Sequence, residues 1–298
     1  MNKWAKRIGW WLIALLCAGI GLALAGKVLG ERKLARKVAV PAALLAVTAD
    51  PARLEQGRYL FNTRGCAECH GAQGAGKTVI ADGAMRIDSP NISPGEHSVT
   101  RHYRAPDWVR TVRHGVKPDG TAVMIMPSED YNRLSDADMA ALLAYLNALP
   151  PVAGTPAVVA LPIPVKILYG VGAIKDAAEK IDHTLPPAPP VPAAISPAHG
   201  AYVANTCMGC HGPQLAGGKI AGAPPNWPPT ANLTPGKGSV MPRYPSAEVF
   251  VASMRSGKRP DGSAISEVMP FASLRQMNDT DLRALYLYLQ TLPPRETN

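Results

Sequence analysis

The sequence predicts an all-α protein: two tandem domains of similar build behind one N-terminal helix long enough to cross a membrane. Three observations lead there. Residues 51–149 and 198–298 run through one order of motifs, which marks an internal duplication. Residues 8–26 form a run without a charge, and each half closes on a Leu/Tyr-rich stretch of helical period that stops at a proline pair, Pro150-Pro151 or Pro293-Pro294. The chain therefore divides into a membrane anchor with a basic juxtamembrane segment (1–50), a first domain (51–149), a Pro-rich linker (150–197) and a second domain (198–298).

The apolar run holds 19 residues, about 28 Å as a helix, enough for a hydrocarbon core of about 30 Å. Trp10 and Trp11 suit the interface belt, and Lys3, Lys6 and Arg7 precede the run. Ala23-Leu24-Ala25 offers a signal-peptide cleavage site, but the run exceeds the usual 7–15-residue apolar region of such peptides, so a retained anchor is expected. Leu16 before Cys17 speaks against lipidation and leaves an inert thiol. Lys27, Arg32, Lys33, Arg36 and Lys37 follow the run, and by positive-inside counting they would sit in the cytoplasm. The chemistry of two motifs described below argues for the opposite side. The patch then faces anionic headgroups or is a solvated helix face.

Each repeat opens on a short helix, Gly57-x-x-x-Phe61 in the first and Gly200-x-x-x-Ala204 in the second. A loop follows, carrying Pro90-Asn91-Ile92-Ser93-Pro94-Gly95, mirrored by Asn232-Leu233-Thr234-Pro235-Gly236. Next come a helix over 106–114 or 246–256, stopped by Gly115 or Gly257, and a turn, Lys117-Pro118-Asp119-Gly120 or Arg259-Pro260-Asp261-Gly262. Met126-Pro127 and Met269-Pro270 precede the last helices, which start on Ser135-x-x-Asp138 and Asn278-x-x-Asp281. The Pro-rich linker reads as a semi-rigid extended spacer with a short helix possible within 165–181.

Between opening helix and loop, each repeat carries C-x-x-C-H: Cys66-Ala67-Glu68-Cys69-His70 and Cys207-Met208-Gly209-Cys210-His211. This is the attachment pattern of a c-type haem. Positions i, i+3 and i+4 share a helix face, so two thiols and an imidazole converge on one porphyrin. A zinc site would need a fourth ligand nearby. Cys17 is the one cysteine outside the motifs, so disulfides do not report the compartment. Thirty Pro and 27 Gly against three Phe describe small loop-rich domains for which a buried porphyrin supplies apolar surface. The net charge of +9 suggests nucleic acid only until it is divided. Residues 1–50 carry eight Lys/Arg against Glu31 and Asp50, while residues 51–150 balance at eleven each. Nucleic acid is not indicated.

Taken together, C-x-x-C-H, the Asn-Ile/Leu loop, R-x-G-x-x-P-D-G, the Met-Pro pair and the terminal L-x-x-Y-L helix make residues 50–297 resemble membrane-anchored dihaem cytochromes c with two class I domains. The resemblance implies two covalently bound haem c groups, attached at Cys66, Cys69, Cys207 and Cys210. It implies His70 and His211 as proximal ligands, with Met126 and Met269 on the distal faces. A thioether is soft and raises the potential relative to bis-His ligation. Met124 competes with Met126; repeat alignment and the following proline favour Met126. Met139 and Met277 read as packing residues, and Met85, Met208, Met241 and Met254 as structural. His97, His102, His114, His183 and His199 have no paired counterparts and read as surface or loop histidines. Tyr103 and Tyr244 align as propionate partners or core tyrosines, and no proline is assignable as the orienting partner of either proximal His.

The implied role is an electron carrier without catalysis of its own, at the outer (periplasmic) face of the cytoplasmic membrane. It resembles the cytochrome subunits of respiratory dehydrogenases. Its expected partners are redox proteins, dehydrogenase or oxidase subunits, and the membrane. Delivery to a terminal oxidase is the alternative, and a dihaem peroxidase the enzymatic one. The peroxidase would need an iron without a sixth ligand, which the matched Met-Pro pairs oppose.

Overall fold

The computed structural model describes residues 3–41 and 44–297; the expected outer boundaries at residues 1 and 298 lie outside them. The chain is mostly helical, in two similar halves behind a long first helix. Helix α1 (Lys3–Ala35) has 33 residues, about 50 Å at 1.5 Å per residue. Its window of highest mean hydropathy, 2.3, is almost wholly exposed, and it is the one helix among the described residues long and apolar enough to cross a membrane.

The first half runs α2 (Pro51–Thr63), α3 (Cys66–His70), β1 (Lys77–Asp82), β2 (Met85–Ser89), α4 (Ala105–His114), α5 (Ser128–Tyr131) and α6 (Asp136–Asn147). Strand β3 (Val158–Ala160), α7 (Ile163–Gly170) and α8 (Ala177–Lys180) follow. The second half runs α9 (Pro197–Ala204), α10 (Met208–His211), α11 (Ala247–Ser256), α12 (Phe271–Leu274) and α13 (Asp279–Thr291).

Local chemistry sets these boundaries. Asp50 caps α2 through the Arg53 N–H at 3.0 Å, with Pro51 at its first position. Ser135 Oγ and Asn278 Oδ1 accept from the Asp138 and Asp281 N–H groups, as the capping pattern predicts. Gly115 and Gly257 end α4 and α11 in the left-handed region, at φ 63° and 71°.

In each half the first helix lies on the last, and glycine permits the approach. A Cβ on Gly57 would come 2.0 Å from the Ala141 carbonyl oxygen, and one on Gly200 1.9 Å from that of Ala284. Phe61 then stacks on Tyr145 at 5.4 Å between ring centres, while Ala204 places no ring at the matching point of the second half. Leu60, Phe61, Val109, Met139 and Leu143 fill the first core. Val203, Met254, Met277, Leu282 and Leu289 fill the second.

Two departures from expectation concern the segments around the first domain. Residues expected as loop form an antiparallel hairpin, Lys77 opposite Ser89 and Asp82 opposite Met85, and β3 joins it with Arg86 opposite Ala160. The third strand comes from the Pro-rich segment, so the pairing is long-range and leaves no local pattern. That segment is therefore not only a spacer. Asn91 Nδ2 donates to the Val152 carbonyl at 2.8 Å, and Thr155 accepts from the Asn91 N–H at 2.8 Å. Asn232 repeats the latch on the Arg295 carbonyl, also at 2.8 Å.

The second departure is the basic patch. Lys33 pairs with Glu179 at 2.9 Å, Arg36 with Asp176 at 2.7 Å and Lys37 with Asp119 at 3.6 Å. These three side chains pair with acidic groups of the protein itself, Lys33 and Arg36 in partly buried pairs and Lys37 in an exposed one. Positive-inside counting consequently overstates the free charge on this side of the span.

Candidate haem-binding sites

The first C-x-x-C-H motif is the helical turn α3, the second runs from Cys207, at the end of a 3-10 turn, through α10, and each is left through a glycine, Gly71 or Gly212, at φ 75° or 77°. The four thiols are unpaired. Burial pushes Cys66 and Cys207 up to about 12 and Cys210 to about 11, and raises Cys69 as well. Without a bound group, the thiols are thus held in the neutral form by burial. Among the described residues no group of three or more His, Cys, Asp and Glu side chains is arranged for a metal ion.

The imidazoles are oriented by the backbone. His70 Nδ1 donates to the Pro90 carbonyl at 2.9 Å, and His211 Nδ1 to the Ala231 carbonyl at 2.8 Å. Burial lowers both histidines, outweighing the raising effect of those hydrogen bonds, so each ring is neutral with its Nε2 lone pair available. This is the outer-shell arrangement a metal-ligating histidine needs. Both carbonyls lie 20 residues after their histidine. No proline was assignable to this role from sequence, yet Pro90 fills it in the first domain; in the second an alanine does so through a carbonyl that any residue would offer, and the register directly before Asn91 and Asn232 was the available signal.

The distal candidates sit in the right company. Met126 packs against the first core together with Cys66 and Ala67, and Met269 against the second with Cys207 and Met208. Met124 turns to a separate cluster under the hairpin, with Met85, Ile87 and Leu161. The Met139 and Met277 side chains are buried in the cores, as are those of Met241 and Met254. Tyr103 and Tyr244 pack edge-on against Trp108 and Phe250 at 5.2 and 5.6 Å. Two free thiols, a fixed neutral imidazole and a thioether in one core per half fit a covalently held haem.

The histidines read as surface residues need correction. His97 and His102 are exposed, but His114 and His199 are buried. His183 donates from Nε2 to the Ala178 carbonyl at 3.1 Å, so its Nδ1 accepts from His114 Nδ1, 3.0 Å away. Burial, with His183 and Arg113 nearby, pushes His114 down to about 4. His199 belongs to the contact between the two halves.

That contact exchanges equivalent residues. The Tyr59 hydroxyl donates to Asp281 at 2.8 Å and accepts from the Asn278 N–H at 3.1 Å. Tyr202 does the same to Asp138 and the Ser135 N–H, at 2.5 and 3.0 Å. The third residue of each motif also crosses: Glu68 accepts from the Ser273 N–H at 3.0 Å, and the Gly209 N–H donates to Asp130 at 2.6 Å. Each motif therefore lies against the short helix after the other half's Met-Pro pair, α3 against α12 and α10 against α5. Arg64 adds a fully buried ion pair to Asp281 at 2.9 Å, and His199 Nε2 bonds the other oxygen at 2.7 Å. Burial raises the Asp281 carboxyl, but Arg64 and its hydrogen-bond donors outweigh this and hold it below the usual range. None of these partners was legible beforehand, since they lie more than 60 residues apart in sequence.

A family model for cytochrome c matches residues 54–150 and 197–293, more than half of the chain. The chain is 28% identical over 302 residues to the cytochrome c subunit of a quinone alcohol dehydrogenase from Gluconobacter oxydans, covering 90% of this chain and 62% of that protein. It is 27% identical over 277 residues to the fructose dehydrogenase cytochrome subunit of Gluconobacter japonicus, covering 81% and 53%. A diheme cytochrome c-type protein of Cereibacter sphaeroides is 27% identical over 270 residues, with 81% of this chain and 86% of that one covered. The chain thus spans between about half and two thirds of the length of the two dehydrogenase subunits.

Proposed function

The chain belongs to the cytochrome c family, and from that premise we propose that it is a membrane-anchored dihaem electron carrier serving a dehydrogenase. Haem c supplies a reversible one-electron iron couple. The chain's residues attach it through Cys66 and Cys69, and through Cys207 and Cys210. His70 and His211, held by the Pro90 and Ala231 carbonyls, would ligate the iron through Nε2. Met126 and Met269 would supply the second ligand in each half, a soft thioether that favours the reduced state. The separation of Met124 into the hairpin cluster supports Met126 as the ligand.

The observation that carries the relay is the crossing of Glu68 and Gly209 to the other half. It ties each motif to the short helix after the other half's Met-Pro pair, so that bound haems would sit on either side of one shared contact and could exchange electrons within one chain. Helix α1 anchors the carrier by a single pass, with both haem domains on the periplasmic side. The names of the relatives point to a dehydrogenase that oxidises an alcohol or sugar as the donor. The test is visible and EPR spectroscopy of the membrane-extracted chain with its associated subunits identified. Two low-spin His/Met haems, inert to peroxide and copurifying with a dehydrogenase, are expected. A stable high-spin haem with peroxide turnover would establish the peroxidase instead. Copurification with an oxidase alone would move the role to oxidase delivery.

A further inference from the structure

We propose that α7 lies on the bilayer as an interfacial helix, docked to α1 where the apolar run ends, with Ile163, Leu168 and Val171 in contact with lipid. This rests on reading α1 as a membrane span. The level is set by where the two helices touch. A Cβ on Gly26 would come 2.9 Å from Ile167, one on Gly30 2.2 Å from the Lys166 carbonyl oxygen, and one on Gly170 2.6 Å from the Gly30 nitrogen. Gly26 is the last residue of the uncharged run. The rest of α1, through Ala35, projects beyond the hydrocarbon, so α7 crosses it at headgroup depth.

The sides of α7 are equally defined. Val165 and Tyr169 point to the protein body. Val165 packs with Leu34 and Leu161, and Tyr169 is 1% exposed, its carbonyl accepting from Lys33 at 2.9 Å and its hydroxyl from Arg36 at 2.7 Å. Those partners lie toward the far end of α1. Ile167 turns the other way, onto Gly26. At 100° per residue, Ile163 and the following Val171 fall within about 40° of Ile167, opposite Val165 and Tyr169, and Leu168 lies about 60° beyond Val171, on the flank between it and Val165. Ile163, Leu168 and Val171 are 53%, 45% and 63% exposed. An apolar face this open on a water-soluble surface would be costly, whereas here it continues the exposed apolar surface of the span itself. What surrounds the span surrounds this face.

The experiment is site-directed spin labelling of the full haem-loaded chain in a Cys17→Ser background, in detergent-free phosphatidylcholine/phosphatidylglycerol vesicles. Labels go at Leu168→Cys and Val171→Cys, with Ile20→Cys as a lipid reference and Val99→Cys as a water reference. Each is read by collision with oxygen against a water-soluble nickel chelate. Haem absorbance confirms that each variant is folded. The expected result is oxygen-dominated collision at 168 and 171, between the values at 20 and 99 and nearer the lipid reference. If 20 reads as lipid while 168 and 171 match 99, the interfacial helix is overturned and the span stands. If 20 itself reads as water, the span reading falls and this inference with it.

Discussion

Replacing Asp281 with alanine tests the contact between the two halves most directly. Its carboxylate takes Arg64 at 2.9 Å, Tyr59 at 2.8 Å and His199 at 2.7 Å, and the Arg64 and Asp281 side chains are each 4% exposed. Removing one member of a buried pair strands the other charge and costs about 3–5 kcal/mol. Arg64 is poorly placed to recover, because its Nη1 is already buried without a partner. The Tyr59 and His199 donors are orphaned in the same step, but these losses share one site and do not simply add. A loss of about 4 kcal/mol lowers Tm by on the order of 10 °C for a unit of this size. Differential scanning calorimetry of the haem-loaded chain measures it. A loss below about 1 kcal/mol, the value of an exposed pair, would refute the reasoning. The pH dependence gives a second check. A carboxyl held below its unfolded value contributes fully above about pH 4 and loses its contribution as pH falls through the folded value. Wild type should therefore lose this share of its stability on acidification, and Asp281→Ala should not.

Met126→Ala should lower the first site's potential by more than the ~59 mV that marks a tenfold change for one electron, and open its iron to added imidazole; spectroelectrochemistry reads both, and Met124→Ala should leave them unchanged. Asp130 is pushed up to about 8, chiefly by burial, against the Gly209 N–H that lowers it. The folded chain keeps a proton there that the unfolded chain releases, so stability should decline between about pH 4 and about pH 8. Asp130→Asn keeps the acceptor for Gly209, should cost within about 1 kcal/mol at pH 7, and should flatten that decline in urea titrations. Gly57→Ala would drive a methyl into the Ala141 carbonyl, 2.0 Å from the ideal Cβ position, forcing α2 off α6. A loss of about 1–3 kcal/mol or more, confined to the first domain, is expected from its unfolding transition.

What could be read beforehand was whatever is written locally. C-x-x-C-H fits in five positions, the caps at Ser135 and Asn278 in four, and the stops at Gly115 and Gly257 in one. The duplication then carried each feature from one half to the other. What escaped depends on tertiary placement. Ala231 serves His211 by its carbonyl, which any residue would offer. Strand β3 pairs across 70 residues, and His199 looked like a loop histidine until α13 brought Asp281 beside it. The lysines and arginines after the span looked like free charge because their partners, Asp119, Asp176 and Glu179, are supplied from far along the chain.

The exchange of Tyr59 with Asp281 and of Tyr202 with Asp138 has an ancestral reading. When residue i of one unit meets j of the other and j meets i, the interface is isologous, the pattern of a twofold dimer. Two copies of a single-haem unit joined end to end would inherit such a contact ready-made. In a dimer of identical subunits every substitution is made twice, but a fused pair can change one side alone. Arg64 has done so, with Asn205 and Thr206 following the second opening helix where its counterpart would stand. Glu68 facing a serine N–H while Gly209 faces an aspartate is a second instance. Fusion thereby freed two identical redox sites to acquire different surroundings, the condition for electrons to run preferentially one way along the chain.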